Sequence, residues 1–209
     1  MSEQKEDHFL SKKYWSRQYD NNRTGWDIGY VSPPIKEYFD QRMDRAAKIL
    51  VPGAGNGWEV EYLYKNGWHN TYLLDFAPAA VQKFSQRFPD FPNQHILEEN
   101  FFDHQGTYDY VVEQTFFSSI PRTIRPEYAR QIFQLLKPGG KFVGLLFNHE
   151  FNYPGPPFGG TTEEYKTLFF SLFNVKYFTT AFNSIKPRKD RELFIILEKP
   201  NRSKNNFLT

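Results

Sequence analysis

From about residue 48 onward, short apolar runs alternate with amphipathic stretches. Lys48 to Val51, Thr71 to Leu74, His95 to Leu97, Tyr108 to Val112 and Lys141 to Phe147 are short apolar runs bounded by polar or turn-forming residues, and they read as strands. The stretches between them carry the helical period. Glu59 to Asn66 stops at Gly67. Ala79 to Phe88, opened by Pro78, repeats apolar residues at Val81, Phe84 and Phe88. Pro126 to Leu136 has Tyr128, Ile132, Phe133 and Leu136 as its apolar stripe and is broken by Lys137-Pro138-Gly139-Gly140. This alternation predicts an α/β fold on a parallel sheet.

Towards the end of the chain, Thr161-x-x-Glu164 is a capping box opening a helix to about Leu172. Val175 to Phe182 and Leu193 to Leu197 then form an antiparallel pair joined by the basic connection Ser184 to Asp190. Before the first strand, a short amphipathic helix spans Pro34 to Phe39. Trp15 and Tyr19 share one helical face ahead of the polar loop Asp20 to Gly25, where aromatic residues more often staple a segment to the core than cover a ligand. Residues 1–45 are thus a cap within a single domain, 1–200, followed by a polar tail, 201–209. No internal repeat or second domain is visible.

Chemistry concentrates where the first strand meets the first helix of the sheet. Pro52-Gly53-Ala54-Gly55-Asn56-Gly57 brings three glycines into five positions, so the backbone can turn tightly and approach a ligand, and a helix N-terminus follows. Asp75 lies 20 residues beyond Gly55, at the end of the second strand, where a carboxylate can bind ribose hydroxyls. The spacing selects among nucleotides. A dinucleotide fingerprint requires its third glycine at position 58, which is Trp58, and a P-loop requires a lysine and a hydroxyl after Gly57. Glu59 would also repel a pyrophosphate. The pattern suits S-adenosylmethionine, which carries no phosphate; the alternative is a glycine-rich turn without a ligand. Asn100 and Gln114, at later strand ends, would reach the same edge of the sheet, and Phe116 and Phe117 would wall it.

Composition adjusts this picture only in places. The 209 residues suit one domain with its own core. The absence of cysteine removes disulfides, thiolate zinc sites and thiol nucleophiles. A net charge of +2 does not require nucleic acid, and no run approaches the length of a membrane span, so a cytoplasmic protein is expected. With no heptad pattern, a monomer is expected too. His8, His69, His95, His104 and His149 show no metal-ligand or catalytic spacing and are expected mostly at the surface. His149, near the Pro- and Gly-rich loop Asn148 to Gly160, is the one worth testing. The 22 phenylalanines and 13 tyrosines exceed the needs of a small core, which points to an aromatic-lined pocket.

Several stretches together resemble class I S-adenosylmethionine-dependent methyltransferases of the thiopurine S-methyltransferase family, most closely its thiol and halide methyltransferase branch. They are Tyr14-Trp15 through Trp26-Asp27-Ile28-Gly29, the glycine turn, Leu74-Asp75, Phe116-Phe117 with Ile120 and Arg125-Pro126, Leu135 to Gly140, and Gly155-Pro156-Pro157-Phe158. The resemblance implies a doubly wound, Rossmann-like sheet of seven mostly parallel strands, the last one inserted antiparallel, behind an N-terminal helical cap. It implies cofactor contacts from Trp15, Tyr19, Trp26, Gly53, Gly55, Gly57, Asp75, Asn100 and Phe101, and places Gln114 beside the transferable methyl. Tyr19 stands where relatives often have Trp, Asn100 where Asp is common, and Gln114 where Tyr is usual.

The expected reaction is in-line transfer of the sulfonium methyl to a small-molecule acceptor, a soft nucleophile such as a thiol, bisulfide or halide. Such a reaction needs alignment and exclusion of water more than acid-base catalysis. Gln114 and Arg125 are the candidate catalytic residues. Phe116, Arg125, Tyr153, Phe158 and Arg188 are the candidate acceptor-binding residues; the ordinary alternative for either arginine is a solvated side chain. Other readings remain open at the level of sequence: a larger acceptor such as an aromatic thiol or metalloid, or a non-catalytic module that binds the cofactor.

Overall fold

The computed structural model describes residues 11–201; His8 and the tail beyond 201 lie outside the described residues. Its centre is β1 (Ile49–Pro52), all four residues of which are buried. The strand lies between β2 (Thr71–Leu74) and β4 (Tyr108–Gln114), and pairs with both in parallel. β3 (Ile96–Leu97) extends one side, and β5 (Leu136–Phe147) the other, again in parallel. β7 (Glu192–Glu198) then inserts antiparallel between β5 and β6 (Asn174–Thr180), giving the order β3-β2-β1-β4-β5-β7-β6. This is the seven-stranded sheet that the sequence implied.

Helices cover both faces. α2 (Pro33–Asp40), α3 (Trp58–Lys65) and α4 (Pro78–Arg87) contribute Ile35, Phe39, Val60, Leu63 and Phe84 to one core, with Trp68 and the sheet residues Ile49, Leu73 and Val143. On the other face, α6 (Arg125–Leu135) and α7 (Thr162–Phe169) bury Tyr128, Ile132, Tyr165 and Phe169 against Val111, Phe142 and Ile195. Each fully buried side chain of this size stabilises the fold by about 1.5–3 kcal/mol. α1 (Lys12–Asp20), capped by the Ser11 hydroxyl at 3.1 Å, forms the N-terminal cap and docks on α4 through Tyr19, Ala77 and Ala80. Among the described residues, no helix is long and apolar enough to cross a membrane.

Differences from the sequence reading are local. Lys137 to Gly140 does not separate helix from strand. β5 begins at Leu136, where α6 ends, and the register jumps from Tyr108–Leu136 to Tyr110–Lys141. The extra residues form an irregularity, with Gly139 at φ 77° and Gly140 packed so closely that a Cβ would stand 2.8 Å from the Lys137 carbonyl. α7 stops at Phe169 and β6 at Thr180, both short of their predicted ends. A single helical turn, α5 (Phe116–Ser119), follows β4 where no helix was expected.

Candidate functional site

The carboxyl ends of β1, β2 and β4, with the cap across them, enclose a cavity of about 500 Å³. All three glycines of the turn have positive φ, between 55° and 67°. A Cβ would meet the Phe116 ring at 2.2 Å from Gly53, the Tyr19 hydroxyl at 2.3 Å from Gly55, and the Phe84 ring at 2.5 Å from Gly57. Only Gly53 lines the cavity; Gly55 and Gly57 are required by backbone conformation and packing beneath it. Asp75 lines the cavity while its carboxylate accepts from the backbone N–H of Gly55 at 2.8 Å and of Ala77 at 2.9 Å. Burial pushes its pKa up to about 6, against those two hydrogen bonds. Glu59, expected to face the turn, instead accepts from the Ser32 N–H at 3.0 Å, and burial raises it to about 7.

The cap aromatics both staple and cover. Trp15, Tyr19 and Trp26 all line the cavity, with Trp26 in edge contact with Trp15 at 5.4 Å and Tyr19 at 5.9 Å. Burial, then the Asp75 charge, holds the Tyr19 phenol well above its ordinary pKa, so it stays protonated. Asp27, which sequence reasoning passed over, ties the cap to the turn. Its carboxylate accepts from Asn56 Nδ2 and, at 2.6 Å, from Trp58 Nε1. The tryptophan that breaks the dinucleotide spacing is therefore half of a latch. Its partner 31 residues upstream had no local signal to reveal it.

Asn100 and Phe101 line the cavity together with Glu99. Asn100 is partly engaged: its Oδ1 accepts from Phe102 N–H at 3.3 Å and its Nδ2 donates to Asp103 at 3.0 Å. Glu99 meets His104 Nδ1 at 2.5 Å, and His104 Nε2 meets the Tyr108 hydroxyl at 2.8 Å. His104 is 7% exposed, so the surface position expected for it is wrong: Tyr108 and Glu99 satisfy both ring nitrogens.

At the end of β4, Phe116 walls the cavity, but Phe117 is core, packed against Tyr128 and Tyr165. Glu113 fixes that turn, accepting from Phe117 N–H at 2.8 Å and from the Tyr128 hydroxyl. Burial raises its pKa to about 7. Gln114 does not line the cavity. Its Oε1 accepts from Thr115 Oγ1 at 3.0 Å, while its Nε2 is buried without a hydrogen-bond partner among the described residues.

A second cavity of about 330 Å³ abuts the first and shares Trp26 and Pro157 with it. Tyr153 and Arg188 line it, as do Phe147, His149, Phe151 and Arg191, which the sequence reading did not assign to a site. Arg188 is not a solvated side chain. It is buried, donates to the Trp26 carbonyl at 2.6 Å and lies 3.4 Å from Glu192 Oε1. Arg125 and Phe158 line neither cavity. Arg125, 1% exposed, donates to Glu164 Oε1 at 2.6 Å and to the Phe158 carbonyl at 3.1 Å, with its guanidinium over the Phe117 ring. It clamps the 148–160 loop from below. The loop faces the first cavity with Pro156 and Pro157 rather than with Phe158.

Titratable side chains give the two cavities opposite character. Among the described residues, Asp75, Glu99 and Glu127 line the first, against a single exposed arginine, Arg23, whereas Arg188, Arg191 and His149 line the second and no carboxylate does. The first favours a cation surrounded by rings, the second an anion or an electron-rich neutral group.

Known proteins resemble this chain in sequence and in fold. Residues 10–204 match the family model described as Thiopurine S-methyltransferase. A probable thiol methyltransferase 2 of Arabidopsis thaliana is 28% identical over 184 residues, covering 85% of this chain and 81% of the relative. A thiocyanate methyltransferase 1 of the same plant is 26% identical, covering 69% of this chain and 65% of the relative. Among solved structures, the 1,6-didemethyltoxoflavin-N1-methyltransferase of Burkholderia thailandensis, with S-adenosylhomocysteine bound, superposes with a TM-score of 0.71. That match covers 90% of this chain and 87% of the other at 16% identity, a likeness of fold.

Proposed function

The chain belongs to the thiopurine S-methyltransferase family of S-adenosylmethionine-dependent enzymes, and from that premise we propose that its acceptor is a small soft nucleophile: a thiol, bisulfide or a halide-like anion. The observation that carries this reading is the pair of adjoining cavities of opposite character meeting at Trp26 and Pro157. The names of the plant relatives, a thiol and a thiocyanate methyltransferase, point the same way.

The residues fit the cofactor. The first cavity has the size of a small-molecule site, its acidic groups suit a positive sulfonium, and it offers no cluster of cations for a pyrophosphate. Asp75 would take the ribose with lone pairs left by Gly55 and Ala77, and Gly53 would admit the amino acid portion. Asn100 and Phe101 would shape the adenine end, with Trp15, Tyr19 and Trp26 closing over it. When bound, S-adenosylmethionine supplies an activated electrophilic methyl, so the chain's remaining task is to align the nucleophile and exclude water. Gln114 lines neither cavity and its Nε2 is buried, so it is not among the acceptor contacts. Arg188 and Tyr153 contact the acceptor, Phe116 walls off the cofactor side, and Arg125, with Phe158, holds the loop rather than touching substrate.

The aromatic walls Phe147, Phe151 and Tyr153 favour a second reading, an aryl thiol lodged in the same cavity. Calorimetry on the complex with S-adenosylhomocysteine separates the two. Iodide, thiocyanate or an alkyl thiol binding more tightly than thiophenol supports the small acceptor. The reverse order supports the aryl one.

A further inference from the structure

Buried nitrogen atoms without a partner are rare in folded proteins and call for an explanation. Among the described residues, three belong to side chains that surround the junction of β4, β5 and α6: Gln114 Nε2, Arg125 Nε and His149 Nδ1. For Arg125 the explanation is at hand, since the guanidinium lies 4.4 Å from the centre of the Phe117 ring and its other nitrogens are bonded. Gln114 and His149 are left. Gln114 ends β4, and His149 stands two residues beyond the end of β5, the parallel neighbour of β4. Gln114 Nε2 can only donate, whereas an imidazole nitrogen can accept a proton.

The His149 ring is held in place by edge contacts with Phe147, at 5.5 Å, and Phe151, at 4.3 Å, and it lines the second cavity. Of the side chains around that cavity, arginine keeps its proton and a tyrosine hydroxyl is a poor proton acceptor near neutrality; only imidazole chemistry takes up a proton there. The charged groups around the ring are Arg188 and Arg191 in the same cavity wall, Glu150 next in the chain and Glu192 on β7.

We propose that the His149 imidazole, which lines the second cavity, accepts the proton of protic methyl acceptors, thiols and hydrogen sulfide. The proposal rests on the small-nucleophile reading above and specifies it. As the acceptor sulfur forms its bond to the methyl carbon, its S–H proton passes to the imidazole and the S–H electron pair stays on that sulfur. The breaking methyl–sulfonium bond leaves its pair on the departing sulfur as a neutral thioether, and the proton then passes to solvent. Iodide and thiocyanate bring no proton and have no use for the histidine.

The test compares these two classes of acceptor in wild type and His149→Phe, which keeps a ring in the cavity and removes its nitrogens. The ratio of kcat/KM for 2-mercaptoethanol to that for iodide is expected to fall about 100-fold at pH 7, the low end of the range of general-base effects. The deficit should shrink towards alkaline pH as the thiol ionises by itself. In parallel, the ring nitrogens of His149 are followed by ¹⁵N NMR in wild type saturated with S-adenosylhomocysteine. The thiol should move them and iodide should not. An unchanged ratio means that the ring only shapes the cavity, and it overturns the proposal, as does a resonance that iodide shifts as much as the thiol. If wild type transfers methyl to neither class, the small-nucleophile reading itself fails first.

Discussion

Two cavities share a wall at the carboxyl edge of the sheet, and they treat their polar groups differently. In the first, Asp75 is buried but already engaged by two backbone N–H groups, Asp27 latches the cap to the turn, and Glu99 is held by His104. In the second, His149 Nδ1 has no partner among the described residues. A site whose hydrogen bonds are satisfied before binding presents a rigid cradle to one ligand. A site with bonds left open is completed by whatever enters it. Under the proposed function, the first cavity would be a fixed cofactor side and the second an acceptor side with fewer bonds made in advance.

That contrast can be broken at either side. The largest effect is expected at Asp75→Ala, which removes the ribose acceptor and strands the N–H groups of Gly55 and Ala77. Affinity for S-adenosylhomocysteine by calorimetry should fall about 100-fold, near 3 kcal/mol, while Asp75→Asn, which keeps one oxygen, falls less. Wild-type affinity in Asp75→Ala would show that the cradle does not depend on this carboxylate.

Glu113→Gln sharpens the comparison through pH. Its carboxyl has a folded pKa near 7, raised from 4.5 by burial, so the folded state binds its proton more tightly than the unfolded chain does. The stabilisation is complete below about pH 4.5 and is lost as pH rises through 7, an effect on the order of 3 kcal/mol. Urea denaturation of wild type should therefore show this loss between pH 5 and pH 8, and Glu113→Gln should reduce it, leaving the parallel contributions of buried Glu59 and Asp75. A wild-type profile that the substitution leaves unchanged contradicts the assignment.

Arg125→Ala strips the loop clamp. Leaving Glu164, itself partly exposed, with only the more distant Arg122 at 3.9 Å should lower stability by about 2 kcal/mol. Acceptor KM should rise several-fold, with cofactor affinity within about twofold of wild type. Equal damage to both ligands would mean that Arg125 supports the whole edge and not one loop. The smallest effect is expected at Tyr153→Ala. The ring is 51% exposed, so stability should change by less than about 0.5 kcal/mol and only the order of acceptors should shift.

The first cavity was far more legible in the sequence than the second. The glycine turn and Asp75 are tied to local backbone geometry, positive φ at three positions and a strand end 20 residues on, so spacing reveals them. The central strands β1 and β2 were legible because each is short and apolar; the antiparallel insertion of the last strand came from resemblance alone. Arg125 and Arg188 illustrate what was not legible. Nothing in Arg125-Pro126 announces that Glu164, 39 residues away, will capture the guanidinium, or that Arg188 will be buried over the Trp26 carbonyl across 162 residues. Phe116 and Phe117 look alike in sequence, and a single unpredicted helical turn sends one to the cavity and the other to the core. Side chains whose role depends on long-range packing have no period or spacing to betray them.

The most direct test of methyl transfer to a small soft nucleophile is the release of S-adenosylhomocysteine from purified protein and S-adenosylmethionine. The acceptor panel should include iodide, bromide, bisulfide, thiocyanate, alkyl thiols and aromatic thiols. The adjoining cavities predict turnover with bisulfide, thiocyanate, iodide or an alkyl thiol at higher kcat/KM than with any aromatic thiol. Turnover confined to aromatic thiols, or none with any member of the panel while the cofactor still binds, would contradict it.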